Sequence, residues 1–128
     1  MNKLTKAEEE IMLILWELEE ATVRDVINKI EDNDLAYTTV ASFIRILEKK
    51  KFIAHKSIGS THIYHPLISQ GDYAKHSLSG LLNKYFDGSF TNLASFFATE
   101  NDISMKELRD MMHEVKEDLR EDKKENKN

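Results

Sequence analysis

The hydrophobic period of this chain changes at Phe52, and this change limits the folds that the chain can adopt. Before Phe52, apolar residues recur three or four positions apart, as they do on one face of a helix. From Phe52 onward, the segments FIAHKS and THIYHPL are rich in β-branched and aromatic residues and flank Gly59, which indicates two short strands joined by a turn. Helices followed directly by a hairpin predict a winged helix-turn-helix in a mostly α-helical protein.

Three helices are predicted ahead of the hairpin. The first begins at a capping box, Thr5–Glu8, and covers about Lys6–Glu19. Thr22 caps the second helix, and the third runs from about Tyr37 to Lys50. The third helix carries its apolar residues on one stripe, which consists of Val40, Ile44 and Leu47.

Three further helices are predicted after residue 69. The fourth ends near Gly88, Ser89 caps the fifth, and the capping box Ser104–Glu107 opens the sixth. Together they have about 50 residues, which are few for an independent core. Their apolar side chains pack either against the first domain or against a second copy of the chain, and we favour the second copy. The residues expected at this dimer contact are Leu78, Leu82, Tyr85, Leu108, Met111, Met112 and Val115.

These patterns divide the chain into three parts. Residues 1–69 form the winged-helix domain, and residues 70–120 form a C-terminal three-helix dimerisation region. Residues 121–128 are charged and lack apolar anchors, so they are expected to be a disordered tail.

Basic residues are concentrated in one segment of an acidic chain. The formal net charge is −5, yet the segment from Arg45 to Lys56 has five basic residues and one acidic residue. On the third helix, short hydroxylated side chains precede cations on the face opposite the apolar stripe, as a recognition helix for DNA requires. Residues 1–69 are therefore the predicted DNA-binding domain. The predicted contacts are Thr22, Arg24, Tyr37, Thr38, Thr39, Ser42, Arg45, Lys49, Lys56 and Ser60.

Catalysis and cofactors receive no support from the sequence. The chain contains no cysteine, which excludes disulfides and thiolate chemistry, and it contains no catalytic or nucleotide-binding motif. A metal site is not expected, because His62 and His65 are three positions apart on a strand and point to opposite faces. A pairing of either one with His55 across the hairpin stays open. The apolar run Ile11–Trp16 is too short to span a bilayer, so we expect a cytoplasmic protein.

The segments LTKAEEEIMLILWE, TVRDVINKI and YTTVASFIRILEKKKFI, followed by THIYHPLIS, resemble the penicillinase-repressor (BlaI/MecI/CopY) family of bacterial transcriptional regulators. The resemblance implies a homodimeric repressor that binds a palindromic operator built on TACA/TGTA half-sites. It also implies, for the antibiotic-resistance branch, that a membrane sensor-protease system triggers cleavage of the dimerisation region and release of DNA.

The chain departs from this family at specific positions. Lys51 stands where the family usually has glycine, so either Lys51 is left-handed or the helix exit differs. The absence of cysteine rules out the copper-sensing branch. The pair that is cleaved in the resistance branch corresponds to Ser95 and Phe96. Two alternatives remain, namely a winged-helix protein-interaction module and a repressor that responds to a small ligand.

Overall fold

The computed structural model describes residues 3–30 and 36–126, with side chains as far as Asp122. This part of the chain consists of six helices and one antiparallel hairpin, in the order predicted from the sequence. The elements are α1 (Lys6–Leu18), α2 (Val23–Lys29), α3 (Tyr37–Lys49), β1 (Ile53–Ile58), β2 (Thr61–Pro66), α4 (Gln70–Tyr85), α5 (Phe90–Glu100) and α6 (Met105–Asn126). The predicted fold class, a mostly helical winged helix-turn-helix, is confirmed.

The first two helices begin at the caps that the sequence predicts. The Thr5 hydroxyl accepts from the Glu8 amide at 3.3 Å, which satisfies one of the free N–H groups at the start of α1. At α2, the Thr22 hydroxyl accepts from the Asp25 amide while the Asp25 carboxylate accepts from the Thr22 amide. The helix α1 ends at Leu18, one residue earlier than predicted, because Glu19 has a φ of 67°.

The core of the winged helix joins all of its elements. Met12 and Leu15 of α1, Val26 of α2 and the apolar stripe of α3 have no exposed surface. The hairpin closes this core with Ile53 and Tyr64. Tyr64 also exchanges two backbone hydrogen bonds with Ala21, at 2.8 and 2.9 Å, so the link between α1 and α2 is held against β2.

Lys51 adopts the left-handed conformation that glycine usually supplies after a helix, with a φ of 68°. The Lys51 amide donates to the Glu48 carbonyl and the Phe52 amide donates to the Leu47 carbonyl, both at 3.0 Å. These are the two hydrogen bonds of a Schellman motif. The chain therefore forms the helix exit at which glycine is usual and accepts a lysine in a disfavoured backbone region.

The chain divides into two compact units, Met1–His76 and Ser77–Asn128. The first unit extends past the predicted boundary at residue 69, because Tyr73 packs between Trp16 and Phe52 at ring separations of 5.8 and 5.9 Å. The Trp16 indole N–H also donates to the Ile68 carbonyl at 2.8 Å. The start of α4 thus belongs with the winged helix.

The second unit contains the rest of α4 together with α5 and α6. The Phe86 and Phe96 rings pack at 5.5 Å, and the Ser89 hydroxyl caps α5 as predicted by accepting from the Asn92 amide. The helix α6 continues to Asn126, so the expectation of a disordered tail is wrong for residues 121–126. These residues are mainly glutamate and lysine. Both have high helix propensity, so the helix continues although no apolar side chain anchors it. The last two predicted tail residues, 127 and 128, lie outside the described residues.

Candidate nucleic-acid interface

The helix α3 presents the polar face that the sequence predicts. Thr38, Ser42, Arg45 and Lys49 are exposed, and the stripe opposite them is fully buried. The Ser42 hydroxyl donates to the Thr38 carbonyl at 2.9 Å, and the Arg45 guanidinium donates to the Ser42 hydroxyl at 3.5 Å. The face therefore carries short groups near its start and long cations further along, with their bases fixed by a packed helix.

Tyr37 and Arg24 meet where α2 approaches the start of α3. The Arg24 guanidinium lies 5.3 Å from the centre of the Tyr37 ring, a cation–π distance that joins the two helices. Thr39 is exposed beside them. The N-cap of α3 is Ala36, which has no side-chain group to cap the helix, and its carbonyl accepts from the Thr39 amide at 3.1 Å.

Thr22 has a structural role at the start of α2. Its hydroxyl is used by the capping box, which also places the Asp25 carboxylate at this helix end. A carboxylate there disfavours a phosphate by like-charge repulsion. A phosphate contact by Thr22 stays a prediction, and Arg24 is better placed for it.

Lys50 points away from the polar face of α3. Its ammonium lies 2.6 Å from Glu8 Oε2 and 2.8 Å from Glu8 Oε1, on a carboxylate that is 3% exposed. Burial raises the pKa of Glu8, but the hydrogen bonds from Lys50 and Thr5 outweigh it and leave the pKa below its usual value. Lys50 therefore fastens α3 to α1, and the exposed cations at the end of α3 are Lys49 and Lys51.

The pairing of β1 with β2 determines which side chains of the hairpin face α3. His55 pairs with Tyr64 and Ser57 pairs with His62, so these four side chains share the face that meets α3. Lys56 lies on the opposite face and forms an ion pair with Glu20 at 3.0 Å. A DNA contact by Lys56 stays a prediction, and it requires the loss of this ion pair. Ser60 is exposed at the turn, where Gly59 has the positive φ that the turn requires.

A groove of about 590 Å³ lies between α3 and the hairpin. Predicted DNA contacts line both of its sides, namely Tyr37, Thr38, Arg45 and Ser60. The groove also contains Glu48, His55 and His62, which the sequence analysis did not place together. The His55 ring donates from Nδ1 to the Glu48 carboxylate. Strand alternation could have placed the two histidines on one face, but only once the register of the hairpin was known.

Metal binding is not supported within residues 3–30 and 36–126. No group of three or more His, Asp or Glu side chains there has a geometry that could hold an ion. His62 and His65 lie on opposite faces of β2, as predicted. No helix in the same part of the chain is long and apolar enough to cross a membrane.

The residues predicted for dimerisation and cleavage lie in the second half of α4, in α5 and in α6. Five of the dimerisation residues are large and exposed, while Leu82 and Leu108 are half-buried. Phe96 is exposed, and the Ser95 carbonyl accepts from the Thr99 hydroxyl at 2.9 Å. Ser95 and Phe96 lie in the middle of α5.

Comparison with known proteins identifies the family. The profile of the penicillinase repressor family matches residues 4–117. The chain belongs to the penicillinase repressor family. A methicillin resistance regulatory protein MecI, known from Mammaliicoccus sciuri and Staphylococcus aureus, is 27% identical over 110 residues, covering 85% of this chain and 89% of its own length. The penicillinase repressor of Bacillus licheniformis is 23% identical over 124 residues, covering 96% of each chain.

Penicillinase repressors are transcriptional repressors and not enzymes, in agreement with the class predicted from the sequence. A solution structure of the DNA binding domain of the repressor BlaI is 26% identical and covers 57% of this chain and 94% of that domain, with a TM-score of 0.49.

Proposed function

We propose that the chain is a sequence-specific DNA-binding repressor that acts as a homodimer on a palindromic operator. The observation that carries this proposal is the polar face of α3. Thr38, Ser42 and Arg45 form an exposed polar surface, flanked by Glu48, on a helix whose other side is fixed in the core. A helix of this kind fits the major groove, where arginine reads guanine and short hydroxylated side chains approach other base edges.

The affinity in this proposal comes from phosphate contacts and the specificity from base contacts. Lys49 and Lys51 are exposed at the end of α3, and the Arg24 guanidinium lies near its start, beside the Tyr37 ring. Such groups fix the register of a protein on DNA without reading sequence. Arg45 occupies the middle of the exposed face and is the residue expected to discriminate between base pairs.

The dimer in this proposal forms through the apolar side chains of α4, α5 and α6. Met111, Met112 and Val115 lie within two turns of α6 and are each nearly half exposed. Exposure of these large apolar side chains to water is unfavourable, and packing against the same helix of a second copy buries them. Two winged helices then bind half-sites of a palindrome, in register with the two-fold axis of the dimer.

Derepression by cleavage at Ser95–Phe96 is the mechanism that the family resemblance favours. Proteases act on extended backbone, so α5 must unwind locally before the peptide bond between Ser95 and Phe96 enters an active site. Loss of this helix dissociates the dimer into single winged helices. These bind DNA less tightly because two linked domains no longer occupy the two half-sites together. A membrane sensor-protease system is the expected partner.

The test compares three labelled duplexes by fluorescence anisotropy at fixed salt. One carries TACA and TGTA half-sites as a palindrome, one carries a single half-site, and one has the same composition in scrambled order. We expect the palindrome to bind tightest, with two chains per duplex. Equal affinity for the palindrome and the scrambled duplex would favour the protein-interaction module, and release of the palindrome by a small metabolite would favour the ligand-responsive repressor.

A further inference from the structure

The groove between α3 and the hairpin contains two histidines that the proposed DNA contacts do not include. His55 of β1 and His62 of β2 pack edge to face, with ring centres 4.3 Å apart. Thr38 and Arg45 of the predicted recognition face line the same groove, as do the turn hydroxyls of Ser60 and Thr61. A DNA strand that lies along α3 therefore passes the histidine pair.

The charges that face the pair come from α3. Glu48, which also lines the groove, accepts a hydrogen bond from His55 and so places its negative charge next to that ring. Arg45 supplies a permanent positive charge, and Val23 is the residue that α2 contributes. Burial, together with Glu48, raises the pKa of the Tyr64 phenol, so Tyr64 is neutral at physiological pH. Imidazole is the type of side chain in this groove that ordinarily changes charge near neutral pH.

His62 is the histidine of the pair whose ring is not bonded to a carboxylate. Its side chain is exposed, and its Nδ1 lies 3.0 Å from the Ser57 hydroxyl. In the protonated ring both nitrogens carry hydrogen, so Nδ1 donates to Ser57 and Nε2 remains to donate elsewhere. Among the described residues, Ser57 is the hydrogen-bonding partner of this ring. Phosphate oxygens accept strongly from such a charged donor.

We propose that the groove receives a backbone phosphate of DNA and that His62 binds this phosphate as an imidazolium, held in place by Ser57. The inference rests on the proposed DNA-binding function. It adds His62 as a contact residue and the uptake of a proton when DNA binds. His55 is the weaker candidate, because its Nδ1 is bonded to the Glu48 carboxylate, whose negative charge offsets the charge of that ring. The Ser60 and Thr61 hydroxyls lie beside the same phosphate position on the turn.

The proposal makes DNA binding depend on pH. A phosphate beside His62 stabilises the charged ring, so the complex binds more protons than the free protein and DNA together. Affinity therefore rises as the pH falls through the neutral range. For each proton taken up, the dissociation constant changes by up to about tenfold per pH unit.

The experiment measures the affinity for a scrambled duplex of about 30 base pairs between about pH 6 and pH 8 at one ionic strength. A scrambled duplex suffices, because phosphate contacts carry no sequence information. The variants are His62→Asn, which cannot be protonated, and His76→Asn, an exposed histidine of α4 that does not line the groove. Calorimetry in two buffers of different ionisation enthalpy counts the protons taken up on binding.

We expect the wild type and His76→Asn to bind more tightly at low pH and to take up about one proton per protomer. His62→Asn should bind at the low end of the range as weakly as the wild type does at the high end. The same pH dependence and proton count in His62→Asn as in the wild type would overturn the inference and leave the DNA-binding function intact. No binding by the wild type to this duplex or to the palindrome at any pH would instead overturn the proposed function itself.

Discussion

Lys50 and Glu8 form an ion pair that joins the end of α3 to the first turn of α1, with Nζ and Oε2 2.6 Å apart. Glu8 is buried, and the Thr5 hydroxyl donates to its second oxygen at 3.0 Å. The pair fixes the end of the predicted recognition helix to α1, in addition to the packing of the α3 apolar stripe in the core. It also removes Lys50 from the set of cations that DNA can reach.

Removal of Lys50 should destabilise the fold, because it leaves a buried carboxylate without its partner. We expect Lys50→Met to lower the free energy of unfolding by about 3 kcal/mol. The measurement is urea denaturation at neutral pH. Lys49→Met, at the exposed neighbouring position, is the control and should change stability by less than about 0.5 kcal/mol. Equal stabilities of the two variants would show that the pair contributes nothing.

The same pair predicts a pH dependence of stability. The pKa of Glu8 is lower in the folded protein than the ordinary value of 4.5, so the folded state favours the ionised carboxylate. Its contribution is therefore complete above pH 4.5 and is lost as the pH falls through the lowered pKa. Urea midpoints measured from neutral to acidic pH should fall more steeply for the wild type than for Glu8→Gln. Parallel curves would contradict this role of Glu8.

Lys51→Gly should stabilise the protein. Lysine at a φ of 68° carries a backbone penalty that glycine does not, and nothing else in the Schellman motif changes. We expect a gain of about 1 kcal/mol in the free energy of unfolding, measured by thermal or urea denaturation. Lys49→Gly is the matched control, and it should cost about 1 kcal/mol because residue 49 is still helical. A loss of stability in Lys51→Gly would mean that the lysine side chain has a compensating contact.

Met111→Lys combined with Val115→Lys should convert the proposed dimer into monomers. Both side chains lie on the exposed apolar stripe of α6, and two lysines on each copy would bring four positive charges together. Sedimentation equilibrium should give the mass of one chain, 14.9 kDa, instead of twice that mass. The control is His113→Lys combined with Glu117→Lys on the opposite side of the helix. A dimeric mass for the Met111 and Val115 variant would place the interface elsewhere.

The order of elements could be predicted because each depends on local patterns. The caps at Thr5 and Thr22, the stripe of α3 and the change of period at Phe52 are all readable within a few residues. The backbone conformation of Lys51 could not be predicted from the sequence, because a Schellman motif and another helix exit were both compatible with lysine there.

The contacts that the sequence did not reveal are those between distant residues. Lys50 was grouped with the other cations of its segment, because its partner Glu8 lies 42 positions away. The positions of Lys56 and His62 depended on the hairpin register, and a shift of one residue would have exchanged their faces. The length of α6 was underestimated because helix propensity alone continues it past the last apolar residue.

The most direct test of the proposed function is the specificity ratio of Arg45→Ala, which is its affinity for the palindrome divided by that for the scrambled duplex. Lys49→Ala serves as the comparison, with both variants measured over a range of salt concentrations. We predict that Arg45→Ala lowers the ratio by about tenfold or more, since a bidentate base contact contributes about 1–3 kcal/mol of discrimination. Lys49→Ala should weaken both duplexes equally and reduce the salt dependence by about one phosphate contact. An unchanged ratio in Arg45→Ala would contradict the assignment of α3 as the helix that reads DNA.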